Sequence, residues 1–170
     1  CTWPVKLEDT PAARPKAYGL FRSTYFEGIF VGYRWYEAMR TPVLFPFGYG
    51  LSYTSFKYGP LEAEEKGGEL EVRVPVTNTG AVAGKETVQL YVSCLTSKVP
   101  RPLKELRDFA KISLDPGETK EAVFRLKKRD FAYWDVFTHD WRVDPGEYRL
   151  SAAASSADVR RSLDIDLESW

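Results

Sequence analysis

From Tyr53 onward the chain is a series of short stretches in which apolar and polar residues alternate, separated by proline-glycine turns, and that pattern admits stacked antiparallel sheets and little else. Leu70, Val72, Val74 and Val76 point one way while Glu71, Arg73 and Thr77 point the other, as in a strand wetted on one side. Val88, Leu90, Val92 and Cys94 repeat the pattern. Ala110, Ile112 and Leu114 run into Asp115-Pro116-Gly117, whose proline presets φ and whose glycine accepts positive φ, and Ala122, Phe124 and Leu126 return. A second such turn at Asp144-Pro145-Gly146 leads to Tyr148, Leu150, Ala152 and Ala154, and Leu163, Ile165 and Leu167 close the series. With a first strand between Tyr53 and Leu61, the spacing predicts a seven-stranded antiparallel sandwich with no long amphipathic helix in it.

The upstream part reads differently. Residues 1 to 24, broken by Pro4, Pro11, Pro15 and Gly19, hold no sustained period and read as irregular loop. From Tyr25 the alternation places Ile29, Val31, Tyr33 and Trp35 on one face and Phe30, Gly32, Arg34 and Tyr36 on the other, which predicts a strand apolar on nearly both sides, covered within a larger sheet. Gly28 and Gly32 would let a neighbouring backbone approach that strand closely. A chain of 170 residues therefore divides into a domain of about 110 residues and a piece of another.

Composition excludes several classes of function. Twenty-four basic side chains cancel twenty-four acidic ones, so the phosphate-neutralising excess of a nucleic-acid binder is missing. Two cysteines ninety-three positions apart build no disulfide framework, and one histidine cannot supply clustered transition-metal ligands, so neither a metal site nor a cofactor is expected. No apolar run approaches the roughly 18 residues of a membrane span. Since the chain opens on CTWP and its only methionine is Met39, it reads as processed or as a fragment.

Five pieces of sequence, in order, carry more specific information. They are Trp3-Pro4 with Leu7-Glu8-Asp9-Thr10-Pro11-Ala12; the run EGIFVGYR from Glu27 to Arg34; PFGYGLSYT from Phe45-Pro46-Phe47 to Thr54; Asn78-Thr79-Gly80 with Gly84 and Val88-Gln89-Leu90-Tyr91-Val92; and Arg101-Pro102-Leu103-Lys104-Glu105-Leu106 leading to Asp115-Pro116-Gly117-Glu118. Spanning nearly the whole chain, they resemble glycoside hydrolase family 3, the family of retaining β-glucosidases and their relatives. The resemblance assigns residues 1–57 to the end and linker of that family's α/β-sandwich domain, and residues 58–170 to its immunoglobulin-like fibronectin type III-like domain. It implies a parent enzyme with an aspartate nucleophile on a (β/α)8-like barrel and a glutamate acid/base on the sandwich domain. Retaining hydrolysis needs two carboxyl groups ~5 Å apart, and neither family motif falls within these residues. The resemblance thus implies a structural module partnered by the catalytic domains of its parent, inactive alone, with EGIFVGYR leaning toward glucosides. The rival reading is an autonomous carbohydrate-binding or adhesion module.

No catalytic residue is assigned. Glu27 invites a general-acid role, but pairing with a basic group such as Arg34, or capping a backbone group, is the simpler expectation; Glu8 and Asp9 read as a hydrogen-bonded loop corner. His139-Asp140 lacks any activated serine or cysteine context and reads as a solvated loop, as does the basic run Lys127-Lys128-Arg129. Trp134 and Trp141, with Tyr133, are the candidates for stacking on a sugar ring, against the simpler expectation that Trp134 fills the sandwich core and Trp141 covers an edge. Phe45, Phe47, Tyr49 and Tyr53 are expected to wedge the two domains together, because aromatic rings close an interface with much area and few lost rotamers.

Overall fold

The computed structural model describes residues 2–13, 18–19 and 22–168, so Cys1 and Pro15 lie outside the described residues. The upstream part contains β1 (Trp3–Pro4), two single 3₁₀ turns over Leu7–Asp9 and Pro11–Ala13, a small ribbon of β2 (Tyr18–Gly19) and β3 (Arg22–Ser23), helix α1 (Tyr33–Ala38) and β4 (Val43–Phe45), which pairs with β1. The two-faced strand expected from Tyr25 is absent, and α1 stands in its place. Gly28 and Gly32 explain why, since they take φ of +56° and +63°, which an extended strand cannot accommodate. The Phe30 N–H donates to the Glu27 carbonyl at 2.9 Å, closing a turn, and α1 starts after Gly32. Ile29 and Val31 are consequently exposed rather than covered.

Downstream, β5 (Phe56–Tyr58) and β6 (Glu62–Lys66) flank β7 (Glu69–Asn78) on one side and β10 (Thr119–Leu126) on the other, all antiparallel. The second sheet runs β14 (Asp158–Leu167), β13 (Gly146–Ser155), β8 (Gly84–Cys94), β9 (Glu105–Leu114), also antiparallel. β5 and β6 are one edge strand broken at Gly59-Pro60, where Gly59 passes so close to Pro75 that a Cβ would lie 2.5 Å from its ring. Counted that way, the sandwich has the seven strands that the alternation predicted, with the first of them split. Outside the two sheets lie α2 (Lys128–Phe131) and a hairpin of β11 (Tyr133–Asp135) and β12 (Asp140–Arg142).

Alternation decides what is buried. Val72, Val74 and Val76 of β7 face Val88 and Leu90 of β8 and Tyr148 and Leu150 of β13 in one apolar core, closed by Phe124 and Leu126. The turns do what their residues allow: Gly117 takes φ +77° and the Glu118 N–H returns to the Asp115 carbonyl at 2.9 Å. Buried Tyr148 spans the other turn, its hydroxyl donating to the Asp144 carbonyl at 2.8 Å, so a ring that fills the core also pins the entry of β13. Asn78 fixes the loop after β7. Its amide donates to the Val82 and Leu114 carbonyls at 2.8 and 3.1 Å, and its Oδ1 accepts from Thr54 and from the Gly80 N–H.

The second sheet departs from the simple pattern. β8 was expected to be wet on one side, yet Gln89, Tyr91 and Ser93 on its outer face are buried, as are Ser151 and Ala153 of β13. The upstream segment covers Gln89, Tyr91 and Ala153, none of which carries a charge.

Candidate functional site

The cover is held by the second half of the upstream segment. Tyr33 opens α1 and lies edge-on to Tyr91 with ring centroids 5.8 Å apart; Phe47 packs on Tyr33 at 5.3 Å, and Ala153 and Leu106 complete the cluster. Polar groups register the contact. The Leu106 N–H donates to the Tyr33 hydroxyl at 2.8 Å, at the point where the β8–β9 ladder slips by a residue. The Ser156 N–H donates to the Phe47 carbonyl at 2.8 Å. Gln89 donates through Nε2 to the Ala154 carbonyl at 3.0 Å and the Gly48 carbonyl at 3.4 Å, while its Oε1 accepts from the Tyr91 hydroxyl at 2.5 Å. The backbone can come this close because Gly48 has no Cβ and takes φ +79°. On the other side of α1, Trp35 Nε1 donates to the Asp9 carbonyl at 3.4 Å, linking the helix to the first 3₁₀ turn.

Of the four aromatic residues expected to wedge two domains, only Phe47 sits in this seam. Phe45 and Tyr49 face each other at 5.5 Å with about half their surface open, and Tyr53 is fully exposed. Leu51 beside them is exposed too, so the strip forms an apolar surface that the described residues leave open.

A second feature is a groove of about 650 Å³ between the upstream segment and the β11–β12 hairpin. Trp134 and Trp141 are cross-strand partners in that hairpin, with ring centroids 5.5 Å apart. They remain 47% and 43% exposed, which corrects the expectation that Trp134 fills the core. Phe131 of α2 takes that place, fully buried and edge-on to Tyr148 at 5.5 Å. The hairpin is a separate ribbon rather than a strand of either sheet, so its rings flank the core instead of entering it. Arg129, from the basic run, lies 3.3 Å over the Trp141 ring, a close cation–π contact.

One carboxylate in the groove is shared by three guanidinium groups. Glu105 lies 3.4 Å from Arg34, 3.1 Å from Arg101 and 2.8 Å from Arg107. The Glu27–Arg34 pair expected from sequence is therefore replaced by Arg34–Glu105, since the turn at Glu27 directs the chain away before α1 presents Arg34. Burial pulls the Arg107 guanidinium below its ordinary value, against the attraction of Glu105. Nearby, Lys104 meets Glu37 of α1 at 2.9 Å; burial raises the Glu37 carboxyl and Lys104 opposes that shift.

The remaining candidates are structural in their surroundings. Asp9 accepts the Lys6 N–H at 3.1 Å while Glu8 lies 3.4 Å from Lys6, so the two acids shape one loop corner. His139 is exposed at φ +52° in the hairpin loop. Glu86 accepts from the Tyr58 hydroxyl at 2.7 Å, and burial raises its pKa. Among the described residues no three His, Cys, Asp or Glu side chains converge as metal ligands, and no helix is long and apolar enough to cross a membrane.

Comparison with known proteins places this geometry. Residues 86–156 match the family described as the fibronectin type III-like domain. The chain is 41% identical, over 97% of its length, to a β-glucosidase of Bacteroides ovatus, of which it covers 23%. It is 47% identical, over 95% of its length, to a β-glucosidase of Rhizobium radiobacter, of which it covers 20%. Against the crystal structure of the Kluyveromyces marxianus β-glucosidase in complex with glucose, the TM-score is 0.92 at 42% identity, covering 99% of this chain and 20% of that one. The chain spans about a fifth of the length of the relatives it matches.

Proposed function

We infer that this chain, which corresponds to a C-terminal part of the glycoside hydrolase family 3 β-glucosidases, braces the catalytic domains of a retaining enzyme acting on β-linked glucosides and has no catalytic carboxylates of its own. The observation that carries this reading is the seam. The stretch from Tyr33 to Gly48 lies on the outer face of the second sheet and exchanges hydrogen bonds with Leu106, Ser156 and Gln89. Residues 1–57 are taken as the end of the adjoining α/β domain and residues 58–170 as the sandwich. On that division, a rigid seam transmits the position of the sandwich to the domain that holds the acid/base. A misplacement near 1 Å at a reacting group can cost ~100-fold in rate, so a fixed scaffold is a direct contribution to turnover. The open strip of Phe45, Tyr49 and Tyr53 supplies the aromatic area that such packing uses.

The carboxylates support the non-catalytic part. A retaining pair stands about 5 Å apart with one acid raised and one free to attack. The two carboxyls raised by burial here, Glu37 and Glu86, are committed to Lys104 and to Tyr58 on different elements. A test is to offer an aryl β-glucoside to the 170-residue chain and to the full-length parent. Turnover by the parent alone is expected, and turnover by the chain above background overturns the reading. The half-exposed Trp134–Trp141 pair favours a second reading, sugar binding by the hairpin; loss of glycan binding in Trp134→Ala would support it.

A further inference from the structure

We propose that the groove beside the β11–β12 hairpin receives a carboxylate-bearing segment from the rest of the parent polypeptide, a docking point separate from the Phe45–Tyr53 strip. The proposal rests on the reading that this chain is one part of a longer enzyme. Three guanidinium groups, from Arg34, Arg101 and Arg107, share the Glu105 carboxylate, with Asp130 a further attraction on Arg107. The other carboxylate on the wall, Asp135, is engaged within the hairpin: it accepts the Phe137 N–H at 2.9 Å and lies 3.7 Å from Arg142. Arg101 is well used, donating to the Phe131 carbonyl at 3.0 Å as well as to Glu105. Arg107 is not, since its Nε is buried without a hydrogen-bond partner. An excess of positive charge thus faces a cleft whose other walls are largely apolar, among them Ile29, Pro102, Trp134 and Phe137.

Such a cleft is ill suited to an apolar occupant, because excluding water from a guanidinium without supplying an anion is costly. A carboxylate answers both needs, pairing with the planar fork of Arg34 while its stem lies against the rings. The length of the relatives indicates its origin. About four fifths of the relatives' length lies outside this chain. Ile29 forms a groove wall and continues into exposed Tyr25, Phe26 and Val31, so the groove opens onto a larger uncovered apolar surface of the upstream segment. A protein segment can cover both at once, whereas a sugar would fill only the groove.

Arginine-selective labelling with phenylglyoxal, read by mass spectrometry, tests this in the full-length parent and in the 170-residue chain. Arg34 is the reporter, because it lies on α1 outside the sandwich core and Glu105 keeps two other partners without it. Arg34 should label several-fold more slowly in the parent than in the chain. In the parent, Arg34→Gln should expose Trp134 to oxidative footprinting, and Arg34→Lys should keep it protected. Equal labelling of Arg34 in the two proteins overturns the proposal. Trp134 protection that survives Arg34→Gln overturns the carboxylate, and protection that appears only with an added uronic-acid oligosaccharide overturns the protein occupant. Labelling needs no turnover, so its failure is distinct from failure of the glucosidase reading.

Discussion

Replacing Tyr33 with phenylalanine removes one oxygen atom and isolates the hydrogen bond that seats the upstream segment on the sandwich. The ring contacts at 5.3 Å to Phe47 and 5.8 Å to Tyr91 survive, because phenylalanine has the same ring. What goes is the acceptor of the Leu106 N–H, 2.8 Å away. That amide lies where the β8–β9 register slips between Leu90 and Tyr91, so no ladder partner replaces the hydroxyl. A part-buried donor left unpaired costs ~1–2 kcal/mol, within the range for lost partners. In a protein of this size each kcal/mol moves the thermal midpoint by roughly 2–4 °C, so a fall of about 2–8 °C is expected. Urea unfolding should show a lower midpoint at unchanged slope, and the Leu106 amide should exchange faster. A midpoint shifted by less than about 0.5 kcal/mol, the scatter of ordinary surface substitutions, would refute the reasoning. Faster exchange at Leu106 alone would mean that the segment lifts off before the sandwich unfolds, and that the two are not one cooperative unit.

Two further substitutions probe the same architecture. Gly48→Ala puts a Cβ 2.1 Å from Gln89 Nε2 at φ +79°, and Gln89 cannot retreat without losing the Ala154 carbonyl and the Tyr91 hydroxyl. A loss of about 2–4 kcal/mol is expected by urea unfolding, whereas Gly67→Ala, with positive φ but nothing within 4 Å, should lose only the backbone part. Glu86→Gln keeps an acceptor for Tyr58 and should stabilise the protein at neutral pH. Burial raises the folded pKa of Glu86, so its contribution is fully present below the unfolded pKa and is lost as pH rises through the folded one. The gain of the glutamine variant should therefore vanish in acid, and a gain independent of pH between 3 and 8 (~ the span around a carboxylate) would contradict this origin.

Period-two alternation made the sandwich legible, because each of its long strands has one face in the shared core. It misled in two places. From Tyr25 to Tyr36 alternation was present, but Gly28 and Gly32 adopt positive φ, and the glycines rather than the period decided the outcome. In β8 the outer residues Gln89 and Tyr91 are polar by type, and they are buried through contacts with Gly48, Tyr33 and Phe47 that only the fold brings about. Their lack of charge was the available signal. The simpler expectation put Trp134 in the core, although two tryptophans seven positions apart with a loop between them also fit opposed positions of a hairpin, which β11 and β12 form. The trio of arginines around Glu105 was out of reach, since Arg34 meets the others only through the folded chain.

The two outer faces of the sandwich differ in a way that assigns them different neighbours. On the first sheet, Glu71 accepts from Lys66 at 2.9 Å and from Arg73, and lies 3.6 Å from Arg125. Those hydrogen bonds hold its carboxyl at about 2. This face neutralises itself with long side chains that remain in water, and such pairs gain little from being covered. The second sheet presents Gln89, Tyr91 and Ala153, which are already beneath the upstream segment, and at its β9 edge the arginines that share Glu105. Covering the first face would strip water from satisfied ions, and covering the second extends a contact that exists. On these grounds further cover costs less on the β8–β9 side than on the β7–β10 face.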